Sequence, residues 1–212
     1  DGTHGGTRTD RAVRVEACKT GYTGGCKLYP GGQYKPVGLL HDYGENDSML
    51  FGLLTGSYDN HMSGGRLRKV VSSFSNEVAA NTGIFDANAR IVNTFNRLRI
   101  RGFNQSSATN EYWKSSPYSD SAKAASEGQL VDWGNPIAEM LMEGARYFKG
   151  TRAPLSAFDS SSQRTIDSQV GLSSATWDDP YENRPYCSRA NFLVISDVNP
   201  SFDSNQVYGA IN

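Results

Sequence analysis

Apolar and polar residues alternate along Ala12-Val-Arg-Val-Glu-Ala17, which predicts a half-exposed strand near the start of the chain. Val37, Leu39 and Leu40 cluster within residues 36–43, enough for a short helix opened by Pro36. Met49-Leu-Phe-Gly-Leu-Leu-Thr55 is a continuous apolar run between turn residues, the pattern of a strand buried on both faces. A Ser-Gly-Gly turn at 63–65 followed by the alternating run Arg66-Leu-Arg-Lys-Val-Val71 makes these two segments a hairpin. Ile91, Phe95 and Leu98 recur at helical spacing, with Arg97, Arg99 and Arg101 as a solvated face, and predict an amphipathic helix over 91–100. The clearest helix runs from 135 to 148. Pro136 lies in its first turn, Ile137, Leu141, Ala145 and Phe148 form its buried stripe, and Glu139 and Glu143 face away. Asn135 is placed to cap it, its side-chain oxygen accepting an orphan backbone N–H. Asn191-Phe-Leu-Val-Ile-Ser196 predicts another buried strand, ending at Asp197.

Strands alternating with helices, the central ones apolar, predict an α/β sheet layered with helices. Residues 1–11 read as a flexible lead-in. Residues 12–212 read as one domain with long irregular insertions near 72–132 and 151–190, the stretch 104–132 being rich in Ser, Asn, Ala and Tyr. A chain of 212 residues can bury a core without staples. Gly, Ser, Asn and Pro fill about a third of it, beside 11 Tyr and 9 Phe, a balance common in extracellular proteins. The 21 basic and 22 acidic residues leave no basic footprint for nucleic acid. Mean hydropathy is −0.54. No apolar run approaches the roughly 20 residues of a membrane span. With Asp1-Gly2 first and no secretion leader, the chain reads as a mature or excised piece.

Candidate chemistry is sparse. The 3 His are scattered, and the common hydrolase and nucleotide motifs are absent. Cys18 and Cys26 flank a segment with three glycines, so a local disulfide in an oxidising compartment is favoured over a zinc site, whose spacing fails. Cys187 has no partner in the sequence pattern. Asp197, Asn199, Ser201 and Asp203 place side-chain oxygens at alternate positions directly after the 191–196 run. Calcium and magnesium need several such ligands, while Asx turns and caps use the same residue types.

Several longer words of the sequence occur in a fixed order: Gln33-Tyr-Lys-Pro-Val-Gly-Leu-Leu40, Phe51-Gly-Leu-Leu-Thr-Gly-Ser-Tyr58, Ser63-Gly-Gly-Arg-Leu-Arg-Lys69, Trp133-Gly-Asn-Pro-Ile-Ala-Glu-Met140 and Phe192-Leu-Val-Ile-Ser-Asp-Val-Asn-Pro-Ser-Phe-Asp-Ser204. With Arg14-Val-Glu-Ala-Cys18 and Cys26, they resemble the amino-terminal region of the PilC/PilY family, the large tip-associated adhesins of bacterial type IV pili. The resemblance covers about 12–70 and 133–209. It implies a von Willebrand factor A-like, Rossmann-like doubly wound sheet with a metal-ion-dependent adhesion site. In that site Asp197 falls at the last Asp and Asn135 at the position of a Thr. The site's Asp-x-Ser-x-Ser loop is absent from this chain, so the resemblance implies an incomplete sheet and a partial site for magnesium or calcium.

The function implied is a non-enzymatic pilus-tip adhesin or tip-assembly subunit, extracellular after periplasmic transit. Its partners would be minor pilins or the tip complex, a host or abiotic surface, and either remaining segments of the same tip protein or a strand-donating partner chain. The competing readings are a secreted metal-dependent α/β enzyme using Asp197 and a structural spacer domain.

Overall fold

The computed structural model describes residues 15–60, 63–98, 135–161, 164–185, 187–196, 199–200, 203 and 206–207. The lead-in at 1–11 and the stretch 104–132 lie outside the described residues, as do 12–14 of the first expected strand. Residues 15–17 of that strand have no regular structure.

Two short strands come first, β1 (Cys26–Leu28) and β2 (Tyr34–Pro36), paired antiparallel with Cys26 opposite Pro36. Pro36 therefore ends a strand and does not open the helix. A residue without an N–H is tolerated at the end of an edge strand. Helix α1 (Leu39–Gly44) starts after Gly38, whose N–H donates to His41 Nδ1 at 3.2 Å. Cys18 and Cys26 are joined by a disulfide across a Cα–Cα distance of 5.9 Å. It closes a short loop, so reduction is expected to lower stability by about 2 kcal/mol. Mass analysis of protein with and without reductant, paired with a melting curve, checks this.

The expected hairpin is present. β3 (Phe51–Thr55) pairs antiparallel with β4 (Arg66–Ser72), Thr55 opposite Arg66, with register shifts between Phe51 and Leu54. Its turn needs glycine at one point above all. Gly64 has φ +60°, and a Cβ there would lie 2.0 Å from Phe158 Cγ. A 3-10 turn at Phe74–Asn76 and helix α2 (Arg90–Arg97) follow; the expected helix is present, but it buries Ile91 and Thr94 and leaves Phe95 exposed. Both oxygens of the buried Glu77 accept from the first turn of α2, from Arg90 N at 2.9 Å and Ile91 N at 2.8 Å. A carboxylate there satisfies orphan N–H groups and complements the helix dipole.

The core is divided into small clusters. Tyr29, Phe74, Val78 and Ile91 form one, with Val37, Leu40, Phe51 and Leu53 against it. Leu67, Tyr147 and Trp177 form another, and Tyr58, Val170 and Leu172 a third. The stretch 151–190, expected as a peripheral insertion, is irregular apart from helix α4 (Thr165–Gln169), yet it supplies Phe158, Val170, Leu172 and Trp177 to the interior. Ser174 Oγ is also buried there and finds no hydrogen-bond partner among the described residues. A stranded hydroxyl is destabilising, so Ser174→Ala is expected to raise stability by about 1 kcal/mol in a denaturant titration.

Helix α3 (Ile137–Phe148) has the expected length and the opposite orientation. Its buried residues are Glu139, Glu143, Gly144 and Tyr147, while Leu141 and Ala145 are exposed. The stripe assigned to the core thus faces outward at Leu141 and Ala145, while its ends, Ile137 and Phe148, are half-buried. Asn135 does not cap it either. Asp203 Oδ1 accepts from Ala138 N, and Asn135 Nδ2 instead donates to Ser196 Oγ at 2.9 Å and Asn199 O at 3.3 Å. Residues 191–196, expected as a buried strand, are exposed and belong to no ladder among the described residues. The ladders that the described residues do contain are antiparallel, two strands each.

Candidate interaction surface

The strands and α4 bring charged side chains together inside the fold. Arg66 and Arg68, two apart on β4, point the same way and are fully buried. Asp167 of α4 answers both: its Oδ2 lies 2.7 Å from Arg66 Nη1 and 2.7 Å from Arg68 Nη2, and its Oδ1 accepts from Tyr58 N at 2.9 Å. Asp159 lies 3.3 Å from Arg66 Nε and 2.7 Å from Arg164 Nε. Arg68 also donates to Thr55 Oγ1 and Gly56 O. Asp59 accepts from Ile166 N and Asp167 N at 2.9 Å each, holding the start of α4. Burial pushes the Asp59 carboxyl above the usual carboxylate range, against the lowering effect of those two N–H groups. The network fastens 157–167 to the hairpin.

The buried glutamates of α3 work similarly. Glu139 accepts from Gly64 N at 2.7 Å and Gln206 N at 3.0 Å, tying the helix to the hairpin turn. Glu143 pairs with Arg146 and accepts from Leu155 N at 3.1 Å; burial raises its pKa, and Arg146 and the Leu155 N–H oppose that rise. Tyr147 donates to Asp178 and accepts from Val71 N. Burial and then the Asp178 carboxylate push its hydroxyl pKa up.

Lys69 is the counterpart on β4. Its Nζ donates to Phe51 O at 2.8 Å and Ser72 Oγ at 2.6 Å. Burial pushes it down to about 8, opposed by the charge of Glu77. A folded-state pKa below the unfolded value of 10.5 contributes stability that is present above 10.5 and lost as pH falls through about 8. Relative to Lys69→Met, the wild type is therefore expected to gain roughly 3 kcal/mol between pH 7 and pH 10.5, read from denaturant titrations at each pH.

Beside these buried charges the fold leaves apolar groups outside. Leu141 is 36% exposed on α3. Alongside runs the 191–196 segment, in which Phe192 is 50%, Leu193 86%, Val194 48% and Ile195 80% exposed. Phe192 packs edge-on against Phe148 with ring centroids 5.5 Å apart, and Gly144 makes room for it, since a Cβ there would lie 2.6 Å from Phe192 Cε1. Contiguous exposed apolar groups of this kind mark an interaction surface.

Of the residues read as metal ligands, Asp197 and Ser201 lie outside the described residues. Asn135 and Asn199 meet at the start of α3, joined there by Asp203. Asn135 presents amide N–H groups to its neighbours, and Asp203 holds a helix N–H. Among the described residues, no three His, Cys, Asp or Glu side chains are grouped so as to hold a metal ion. Sequence reasoning missed Glu139, Glu143, Arg66 and Arg68 as interior residues. One available signal was the pairing of two arginines two apart on an otherwise core-like strand.

A family model described as "PilY1 homolog, second domain" matches residues 51–212. The chain belongs to the PilY1 family. It is 38% identical over 222 residues to a protein of Xylella fastidiosa (strain Temecula1) named type IV pilus biogenesis factor PilY1 homolog, an alignment covering 94% of this chain and 15% of that relative. The chain thus spans about 15% of the length of the curated PilY1 relative it matches. No solved structure matches it. No helix among the described residues is long and apolar enough to cross a membrane.

Proposed function

We propose that this chain is a non-enzymatic part of a type IV pilus tip protein, acting in surface attachment or tip assembly outside the cell after passage through the periplasm. The complete domain would be a von Willebrand factor A-like doubly wound sheet, of which the described residues are a portion. Membership of the PilY1 family supports a role with pili, as the relative's name indicates for that protein. The observation that carries the reading is an exposed apolar surface beside a network of buried carboxylates. Asp59, Asp159, Asp167, Glu139 and Glu143 hold arginines and loop N–H groups, while Leu141 and residues 192–195 lie outside. That arrangement suits a rigid body offering a surface to protein partners such as minor pilins. The disulfide fits an oxidising compartment.

Imaging intact filaments with a label on this chain tests the proposal. Label at filament tips, together with pilins in a pull-down from native cells, is the expected result. Label confined to cell bodies, with no pilus component recovered, would overturn it.

A further inference from the structure

A cavity of about 450 Å³, a volume in the range of small-molecule sites, opens between β4 and residues 174–176. The 174–176 segment is held beside the strand by Ala175 N, which donates to Leu67 O at 2.6 Å. Asn76, Asn88 and Thr176 lie at its exposed mouth, whereas Arg68, also part of the lining, has no exposure to solvent. The walls are polar apart from Val70 and Ala175, and no lining residue is aromatic. Two donors of this lining are left over. Arg68 Nε and Nη2 are engaged by Thr55 Oγ1, Gly56 O and Asp167 Oδ2, but Nη1 is buried and has no hydrogen-bond partner among the described residues. Ser174 Oγ is buried and unpartnered in the same way. Native interiors leave few polar groups unpaired, and each one lowers stability. A guanidinium nitrogen can only donate, so the group that would satisfy this pair is an acceptor. The charged neighbours are already engaged. Both Glu77 oxygens hold N–H groups of α2, and Lys69 Nζ donates to Phe51 O and Ser72 Oγ. Arg90, exposed on the rim, offsets the negative charge that Glu77 brings to the lining.

We propose that this cavity binds a small polyhydroxylated monocarboxylate. Its two carboxylate oxygens accept from Arg68 Nη1 and Ser174 Oγ, and its hydroxyls meet Asn76, Asn88 and Thr176 at the mouth. Two leftover donors match the two oxygens of a carboxylate, and hydrogen bonds to an ionised acceptor are the strong ones. A phosphate dianion fits less well, because the charge of Arg68 is already shared with Asp167, whose Oδ2 lies 2.7 Å away. Amide and hydroxyl groups at the mouth, without an aromatic face, suit ligand hydroxyls better than an apolar tail. The stranded Ser174 hydroxyl is then a binding group retained at a cost in stability, a common trade at functional sites. The inference rests on the cavity alone and uses nothing from the reading of this chain as part of a pilus tip.

The test uses the full polypeptide that carries these residues and reads amide hydrogen exchange over 172–178, at constant ionic strength, with and without sodium gluconate. Sorbitol, with the same carbon chain and hydroxyls but no carboxylate, is the control, and inorganic phosphate is the competing anion. Gluconate is expected to slow exchange there, sorbitol to leave it unchanged and phosphate to act more weakly than gluconate. In Ser174→Ala the half-saturating gluconate concentration should rise at least about 10-fold, the usual worth of a hydrogen bond to a charged group. The melting temperature of that variant without gluconate should rise, which separates a lost binding group from a damaged fold. A tetragalacturonate arm distinguishes the sources of this chemistry: a stronger effect per carboxylate than that of gluconate assigns a polysaccharide unit, a weaker one the free acid. No slowing by either acid would overturn the proposal, and that is also the result if a carboxylate of this chain fills the cavity. So would equal slowing by sorbitol, tighter binding of phosphate, or an unchanged gluconate affinity in Ser174→Ala. Gluconate binding in a protein whose label is absent from pili would keep this inference and remove the proposed function, so the two fail separately.

Discussion

Replacing Asp167 by alanine is expected to lower the unfolding free energy by about 3–5 kcal/mol, the usual result of removing one partner from a buried ion pair. Two guanidinium groups depend on this carboxylate, each 2.7 Å from Oδ2, and neither Arg66 nor Arg68 has any exposure to solvent. Their desolvation is offset only while an anion is present. Asp159 and Asp59 remain near Arg66, at 3.3 and 3.7 Å, so that cation keeps some compensation. Arg68 keeps fewer partners: Thr55 Oγ1 and Gly56 O stay, both neutral. Tyr58 N loses its acceptor as well. Asp167→Asn should fall between wild type and alanine, because an amide can still accept from Tyr58 N but cannot neutralise the arginines. Denaturant unfolding measures the loss, and proteolysis should show 151–170 cut first, since the network fastens that stretch to the hairpin. A loss below about 1 kcal/mol would mean that the arginines reach water or another anion.

The second large effect separates the two faces of α3. Glu139→Ala is expected to cost roughly 2–4 kcal/mol, because the buried Gly64 N–H loses its acceptor and a side-chain volume is vacated. Gln206 N, the other donor, belongs to an exposed residue and can turn to water. Leu141→Ala should cost clearly less than Glu139→Ala, since Leu141 is 36% exposed. Hydropathy alone predicts the reverse order, with Leu141 in the core and Glu139 in solvent. Parallel melting curves of the two variants decide between them. Equal or inverted losses would return the apolar stripe to the interior.

Local features were legible in the sequence for local reasons. The hairpin follows from two strand-like runs around a Ser-Gly-Gly turn, and the extent of α3 from Pro136 and a helical repeat that runs to Phe148. The disulfide follows from two cysteines eight apart around glycines. Family membership was legible in ordered words spread along the chain. The candidate site was legible in part: Asn135, Asn199 and Asp203 gather at the start of α3, where Asp203 accepts from Ala138 N and Asn135 donates to Asn199 O.

By itself, then, the sequence determined where α3 and the hairpin begin and end, which two cysteines pair, and to which family the chain belongs. Those properties depend on backbone propensity and on contacts a few residues apart. Only the tertiary structure decided that Arg66, Arg68, Glu139 and Glu143 lie inside and that 192–195 lies outside. A charge can be buried only when an opposite charge or a set of donors arrives to replace its water. For Arg66 that partner, Asp167, is 101 residues away, and for Glu139 the partner Gly64 N is 75 away. An apolar strand is equally dependent on what arrives to cover it. Periodicity reads the character of each residue and carries no information about such distant partners.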